Sequence, residues 1–473
     1  MLKFKLFKTD SWKLSLIILA YFSIFSTLDL LRLFSFTQNS NDVAVFDQAV
    51  WYFIHGKGFY DSIEGMNHLG VHFSPIFGFL APIYALFPYP STLILCQAAA
   101  GAVSIIPIFL IAKKIFNDKN TALFFALLFS LNHVLHGVTW DLLNELAYAI
   151  PFLLLAYYFF LEEKYVMMWG MLLLAIICKE EIGLTVGFFG LYLSVIGYQK
   201  TKKSLVVQGI ALFILGMGWS FLCVDFFIPF FRNAPYQYLS SEDRYAVFGA
   251  KTLQALLLGI ISHPILAIQT AFTLPKTLYC LELLAPLAFI SLIAPGPLFM
   301  MIPTLSANLL SGAAMMSMTG NRYPAVLIPF IFISAMYGTR KIASRSKTPD
   351  KTLRKILRIQ FIFTILCTLL FSSTPLSLRI SKFPWITSKD QEIRKLISQI
   401  PAGALVSAQP DFTGLIPHGC IVKPFYWKGA QYVVMDPFFN QWYQDFKATP
   451  KIVYQKGFHL EISRDGLMIF VRH

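Results

Sequence analysis

The side chains that could carry chemistry in this chain of 473 residues occur in a few short segments. Asp42 and Asp47 lie in the segment 41–51, and the histidines His68 and His72 follow them. A positioned carboxylate can act as a general base, and an imidazole can move a proton or bind zinc. These four residues are therefore the first candidates for a site.

The histidine pair has the i, i+4 spacing of a zinc site on a helix. Gly70 lies between the two histidines and Pro75 follows them, and both residues argue against a regular helix here. The sequence offers no obvious third ligand. We therefore do not expect His68 and His72 to bind zinc as a pair.

Three further groups of charged residues interrupt otherwise apolar sequence. They are Asp141 and Glu145, then Lys179, Glu180 and Glu181, and finally Arg322. A carboxylate at a helix end can cap the helix or pair with a lysine, and we weigh that interpretation equally with catalysis for any single residue. Lys179 alone could simply extend toward the interface.

The composition predicts an α-helical polytopic membrane protein. Hydrophobic residues make up 56% of the chain and charged residues 14%, about half the charged fraction of a soluble protein. Because a span needs about 20 apolar residues, we predict about eleven spans. These are 14–34, 92–112, 121–137, 146–161, 165–178, 182–198, 205–230, 278–294, 297–312, 323–339 and 355–373. The scattered cysteines indicate neither a disulfide framework nor a metal site.

The basic residues predict the orientation. They are concentrated in the segments 1–13, 113–119, 200–203 and 340–358, where they mark loops rather than a nucleic-acid surface. The positive-inside rule then places the N-terminus in the cytoplasm of a multi-pass plasma membrane protein. The candidate residues all fall on the outer face.

This topology predicts two domains. Residues 1–374 form a membrane domain with a long first outer loop, 35–91, and residues 375–473 form a soluble extracytoplasmic α/β domain. The predicted elements of the second domain are a helix over 388–400 capped by a serine and strands at 404–409, 431–436, 458–463 and 467–471. We interpret 72–87 and 253–272 as interfacial or re-entrant helices.

The spans around Lys179 are short. Residues 165–198 are too few for two full crossings, so the turn 179–181 should lie below the outer membrane surface. An ion at mid-depth against lipid costs about 2.5–3.5 kcal/mol, and a water-filled cavity lined by protein removes most of that cost. The turn with Asp141 and Glu145 is similarly tight.

At these residues the chain resembles a known family. The segments Asp-Val-Ala-Val-Phe-Asp-Gln-Ala-Val-Trp, His-Phe-Ser-Pro-Ile, Cys-Lys-Glu-Glu and Arg-Tyr-Pro-Ala-Val-Leu-Ile-Pro resemble a prokaryotic family of predicted membrane proteins of unknown function, from about Asp42 to Gly338. That family is distantly similar to the GT-C glycosyltransferases, such as protein mannosyltransferases and aminoarabinose transferases. The shared layout is an acidic first outer loop, a His/Pro-containing interfacial helix and a second span that ends in Lys113-Lys114.

The resemblance implies an enzyme that passes a sugar from a polyprenyl-phosphate carrier to an envelope lipid, glycan or protein at the outer face. It gives the role of general base to Asp42 or Asp47 and leaves the choice open. Lys179, Arg322 and His72 are then the expected partners of the phosphate. Glu180, Glu181, Asp141, Glu145 and His68 would contact sugar or acceptor, and a divalent cation held by oxygen ligands stays open.

Two alternatives belong to other classes. A transporter or flippase would show internal repeats or ionisable residues near the midplane, and the sequence shows neither. A non-catalytic assembly protein would act through its C-terminal domain. The leading expectation is a membrane glycosyltransferase.

Overall fold

The computed structural model describes residues 11–241, 244–249, 252–380, 383–424, 427–437, 449–464 and 467–472. The chain divides into two compact units. The helical unit comprises Met1–Phe25, Gly70–Ile76 and Gln97–Lys382. The mixed unit comprises Ser26–Leu69, Phe77–Cys96 and Phe383–His473.

The first half of the chain is built from helices. They are α1 (Ser11–Phe34), α2 (Asn41–Ile54), α3 (Ile76–Leu86), α4 (Pro90–Val103), α5 (Ile105–Phe116), α6 (Lys119–Ser130), α7 (His133–Trp140), α8 (Leu146–Leu161), α9 (Tyr165–Ile176), α10 (Ile182–Gln199) and α11 (Lys203–Leu222). A π-helical turn, Cys223–Phe227, continues α11 into α12 (Ile228–Arg232).

Shorter helices follow. They are α13 (Gln237–Ser240), α14 (Leu253–Ser262), α15 (Pro264–Ala271), α16 (Leu274–Leu284), α17 (Ile302–Leu310), α18 (Ile328–Ser344), α19 (Pro349–Phe371), α20 (Ser388–Ile397) and α21 (Pro450–Gln455). The strands are β1 (Tyr60–Asp61), β2 (Met66–Asn67), β3 (Leu405–Ala408), β4 (Ile421–Lys423), β5 (Tyr432–Met435), β6 (His459–Arg464) and β7 (Leu467–Val471).

Several helices have the length and composition of membrane spans. Within the described residues four qualify, namely 12–34, 90–116, 182–199 and 203–232, and six if each of two bent pairs counts as one span. The bent pairs are α6 with α7, at 49°, and α14 with α15, at 98°. The number of eleven spans stays a prediction, as does the course of 72–87 and 253–272 relative to the membrane.

Besides 121–137, which the bend between α6 and α7 interrupts, three predicted spans are wrong as continuous helices. In the region of 278–294, α16 ends at Leu284 and 3₁₀ turns follow. In 297–312, a 3₁₀ stretch precedes α17, and in 323–339 the helix begins only at Ile328. Each interruption lies beside proline, at Pro286, Pro297 or Pro324, because proline lacks the amide donor and restricts the residue before it.

Glycines let α10 and α11 approach closely. A Cβ atom on Gly216 would overlap the carbonyl oxygen of Gly183, and one on Gly209 would overlap that of Gly190. Small residues at matching positions allow such backbone contact between membrane helices. This packing fixes α10, whose N-terminal end follows the charged turn 179–181.

The mixed unit contains a five-stranded sheet in the order β4-β3-β5-β7-β6. β3 pairs in parallel with β4 and β5, whereas β7 pairs antiparallel with β5 and β6. Val406, Val422, Val434 and Ile469 of this sheet pack in one core with Ile397 of α20. The α/β character predicted for the C-terminal residues agrees with these elements.

Two details of the C-terminal prediction are wrong. Thr387, not Ser388, caps α20, and it forms a capping box with Asp390. The strand β4 was not predicted, because three residues are too few to show an alternating pattern. The division of the chain at residue 375 stays a prediction.

Candidate functional site

Three donors of the helical unit engage the carboxylate of Glu180. It accepts hydrogen bonds from His72 Nδ1 at 2.8 Å, the Phe73 amide at 3.0 Å and the Tyr236 hydroxyl at 2.6 Å. Tyr238 stacks on the His72 ring with centroids 4.9 Å apart. Burial raises the pKa of the carboxyl, but the charges of His72 and Lys179 and the hydrogen bonds outweigh burial and lower the pKa to about 2. Glu180 is therefore held as an anion.

Short helices hold the turn that carries Glu180. α9 has 12 residues and α10 has 18, so at 1.5 Å per residue they span about 18 and about 27 Å, less than the bilayer core of about 30 Å. Glu180 and Lys179 are both buried. The depth of this turn relative to the membrane surface stays a prediction.

Lys179 and Glu145 form a buried ion pair. Lys179 Nζ lies 2.8 Å from Glu145 Oε1, and the two side chains are 5% and 1% exposed. Because each charge compensates the other, the pair can remain ionised away from water. The fold thus brings together the charged segment that contains Lys179 and the one that contains Glu145, and these two residues form the ion pair.

Arg322 and Asp141 form a second pair. Arg322 donates from its backbone amide and from Nε to Asp141 Oδ2, at 2.9 and 2.8 Å. Gln97 donates to the Asp141 carbonyl oxygen and accepts from the Asn144 amide, which fixes the turn that carries Asp141. Both predicted phosphate-binding cations, Lys179 and Arg322, thus already have carboxylate partners.

A cavity of about 330 Å³ opens beside Glu180 and Glu181. At this end it is lined by the two carboxylates and the tyrosines Tyr236 and Tyr238. Most of the remaining wall is apolar and comes mainly from α10, α11, α14 and α17, with Leu184, Phe188, Met217, Leu253, Leu256, Leu257, Ile260, Ile302 and Leu310. The cavity suits an amphiphile with a polar head and an apolar tail.

Arg244 also lines this cavity. Its guanidinium lies 4.1 Å from the centre of the Tyr238 ring and donates to the Tyr323 hydroxyl at 3.3 Å. Within the described part of the chain no carboxylate forms an ion pair with Arg244. A guanidinium held in this way can bind an anion such as phosphate.

The mixed unit holds Asp47 in a separate cluster. The Tyr84 hydroxyl donates to Asp47 Oδ1 at 2.5 Å, and His418 Nε2 donates to Asp47 Oδ2 at 2.6 Å. The Trp51 ring stacks on His418 at 5.5 Å. Asp47 projects from the middle of α2, whereas Asp42 lies in its first turn and is partly exposed.

The two predicted histidines belong to different units. His72 lies in the helical unit against Glu180, and His68 lies in the mixed unit, buried between Phe46 and Phe77. His68 is in a 3₁₀ turn. The two histidines are therefore not on one α-helix, and their i, i+4 spacing does not place them on one helix face. Among the described residues no group of three His, Cys, Asp or Glu side chains is placed to hold a metal. The divalent cation stays open.

Sequence reasoning missed Tyr84, Tyr236, Arg244 and His418. His418 lies 371 residues from Asp47, and Tyr236 lies 56 residues from Glu180. Tyrosines and a turn histidine carry no spacing signal of their own. The usable signal for Arg244 was its charge in an outer loop beside several tyrosines.

Comparison with known proteins gives a family. A family model described as "Predicted membrane protein (DUF2079)" matches residues 32–468. No curated protein matches the chain. Among solved structures the chain is similar to an oligosaccharyltransferase from Archaeoglobus fulgidus, crystallised with zinc and sulfate, at 12% identity and a TM-score of 0.40, over 96% of this chain and 73% of that one.

Proposed function

The chain belongs to this family of predicted membrane proteins, and on that premise we propose that it is a glycosyltransferase. It transfers a sugar from a polyprenyl-phosphate carrier to an acceptor of the cell envelope at the outer face of the membrane. The layout of its motifs is distantly similar to that of GT-C enzymes, which catalyse this reaction.

The observation that carries the proposal is the cavity beside Glu180. A carrier lipid joins a charged phosphate and a hydroxyl-rich sugar to a long apolar chain. The cavity is lined by the charged side chains of Glu180, Glu181 and Arg244 together with many leucine and isoleucine side chains. Such a surface matches a lipid carrier better than a soluble metabolite. A soluble metabolite has no apolar chain to cover the apolar wall.

The charges suggest how the leaving group is stabilised. When the anomeric carbon is attacked, negative charge develops on the departing phosphate, and a preorganised cation lowers the barrier. Lys179 and Arg322 already compensate Glu145 and Asp141. We therefore assign the phosphate to Arg244, with His72 as a further donor.

The carboxylates of the cavity are assigned to the sugar. Glu181 lines the cavity beside Glu180, whose oxygens already accept three hydrogen bonds. A carboxylate can accept hydrogen bonds from sugar hydroxyls and fix their orientation. We assign this contact to Glu181, and the positioning of the loop at His72 and Phe73 to Glu180.

Mass spectrometry of envelope glycolipids and glycoproteins tests the proposal. Deleting the gene should remove a sugar from at least one envelope molecule and raise its lipid-linked donor, and the intact gene should restore both. Glu181→Gln should restore neither, whereas Glu163→Gln, an exposed carboxylate paired with Lys202, should restore both. An unchanged glycan profile after deletion would refute glycosyl transfer and favour transport or an assembly role.

A further inference from the structure

We propose that the helical unit carries a further ligand site, a basic cavity lined by Lys200, Arg340 and Lys341, and that this cavity binds the phosphate of an anionic phospholipid. The site is separate from the residues assigned to sugar transfer. The inference therefore does not depend on the proposed function.

The basic cavity has a volume of about 600 Å³ and lies within the helical unit. Its walls come from the C-terminal ends of α8, α10 and α18 and from the loop 294–297. The first half of α10 lines the cavity beside Glu180, and its second half lines the basic cavity. Because the 18 residues of α10 extend about 27 Å, close to the thickness of a bilayer core, the two cavities lie at opposite ends of a helix long enough to cross a membrane.

Three cations line the basic cavity. Arg340 and Lys341 lie in the last turns of α18, and Lys200 directly follows α10. The described residues that line the cavity include no carboxylate, and no described carboxylate forms an ion pair with any of the three. Such a local excess of positive charge attracts an anion.

The acidic residues that follow α8 already have partners. Glu162 lies 2.9 Å from Lys114 Nζ, and Glu163 lies 2.7 Å from Lys202 Nζ. Compensation of the basic cavity is therefore left to an anion from outside the chain.

A chain of tyrosine hydroxyls leaves one donor available to such an anion. Tyr157 donates to the Tyr337 hydroxyl at 3.3 Å. Because a phenol has a single hydrogen, the 3.3 Å bond between Tyr157 and Tyr192 uses the hydrogen of Tyr192. The hydrogen of Tyr337 then has no acceptor among the described residues, and Tyr337 lines the cavity. Arg340 lies one turn further along α18, so a neutral and a charged donor share one helix face, as phosphate recognition requires.

The loop 294–297 is fastened to α18. Lys341 Nζ donates to the carbonyl oxygen of Ile293 at 3.0 Å, and Ser334 Oγ donates to that of Ala294 at 3.0 Å. These contacts hold the wall of the cavity in place without a ligand. Binding therefore requires little ordering of the protein, which favours affinity.

The apolar part of the lining favours a lipid over a free phosphate ion. Phe160, Leu161, Ile196, Pro295 and Pro297 line the cavity beside the cations. The glycerol and acyl groups of a phospholipid can cover these side chains, whereas a free ion leaves them exposed. The positive-inside rule predicts that this end of α10 faces the cytoplasm, where basic pockets between membrane helices bind anionic headgroups.

Native mass spectrometry of the purified full-length chain in an uncharged detergent tests the site. Phosphatidylglycerol and phosphatidylcholine with the same acyl chains are titrated separately, and the bound lipid is counted. Both lipids contain a phosphate, but the choline cation cancels its charge. We expect phosphatidylglycerol to bind about tenfold more tightly or better. Equal affinities for the two lipids would overturn the proposal.

A pair of charge-matched variants separates this site from general attraction. Arg340→Gln/Lys341→Gln should weaken phosphatidylglycerol binding about 25-fold, since each basic side chain near an anionic lipid contributes about 1 kcal/mol, a factor of about five. Arg354→Gln/Lys355→Gln removes the same charge from exposed positions of α19 and should leave binding unchanged. Equal weakening by the two double variants would refute a specific site.

Two further measurements complete the test. Lys200→Gln removes an exposed cation at the end of α10 and should weaken binding about fivefold. This variant decides the question if the α18 double variant does not fold, and unchanged binding would then refute the site. Inorganic phosphate in large excess should fail to displace phosphatidylglycerol. Displacement would assign the cavity to a free anion and contradict the choice of a lipid, whereas an unchanged glycan profile after gene deletion would refute only the sugar transfer.

Discussion

Lys179 and Glu145 form an ion pair of 2.8 Å in which both side chains are almost completely buried. They come from different segments of the helical unit, after α9 and before α8. Burial removes both charges from bulk solvent, so each depends on the other. This dependence gives the first prediction.

Lys179→Met should lower the free energy of unfolding by about 3–5 kcal/mol, because it leaves the carboxylate of Glu145 buried without a cation. The double variant Lys179→Met/Glu145→Gln should recover most of the loss. The measurement is the midpoint of heat unfolding in detergent. Lys202→Met breaks the exposed pair with Glu163 and should cost less than about 1 kcal/mol. Equal losses in the two lysine variants would contradict the importance of burial.

Gly216→Ala should destabilise the contact between α10 and α11. The added methyl group would overlap backbone atoms of Gly183 and Gly187, and overpacking costs about 1–3 kcal/mol. Gly218→Ala is the matched control, because it lies two residues away in open space and alanine favours a helix over glycine. The two midpoints of heat unfolding should therefore move in opposite directions, or the second should stay unchanged.

Asp61→Asn should remove part of the pH dependence of stability. The pKa of Asp61 is raised to about 7 in the folded protein, because burial, the largest effect, and the charge of Glu64 raise the pKa more than backbone hydrogen bonds and Lys423 lower it. The unfolded chain ionises this group near its ordinary value of 3.8. Stability from Asp61 is therefore complete below about pH 4 and falls as pH rises toward about 7.

Heat unfolding of the wild type and Asp61→Asn, recorded every half unit from pH 4 to pH 8, measures this effect. The wild-type midpoint should fall more steeply with rising pH than that of the variant. Asparagine retains the oxygen that accepts from the Glu64 amide, so the comparison isolates the charge. Parallel curves would show that Asp61 ionises normally in the folded state.

Arg244→Gln should reduce sugar transfer by about 100-fold or more, because it removes the cation assigned to the leaving phosphate. Arg244→Lys should lie between this variant and the wild type, since lysine keeps the charge but lacks the planar group that stacks on Tyr238. The readout is the envelope glycan profile of the complemented deletion strain. Arg354→Gln, an exposed arginine of α19, should behave as the wild type. Full restoration by Arg244→Gln would show that a cation other than Arg244 binds the leaving phosphate.

The sequence alone singled out several residues that the structure places close together. Glu180, Lys179 and Glu145 stand out in an apolar chain because a charge is expensive in hydrocarbon, and the structure buries all three beside compensating groups. The partners could not be assigned in advance. Lys179 could equally have paired with a neighbouring glutamate, and only the fold selects Glu145.

Composition alone determined that this is a helical membrane protein, because the free energy of burying apolar surface acts on every residue and needs no knowledge of the fold. Proline interrupts helices through its own ring and its missing amide donor, so these interruptions are local effects that the sequence can indicate. The tertiary structure decided that Tyr84 and His418 meet Asp47 and that Arg244 lines a cavity. Such contacts join residues up to 371 positions apart, and their geometry depends on the packing of whole elements.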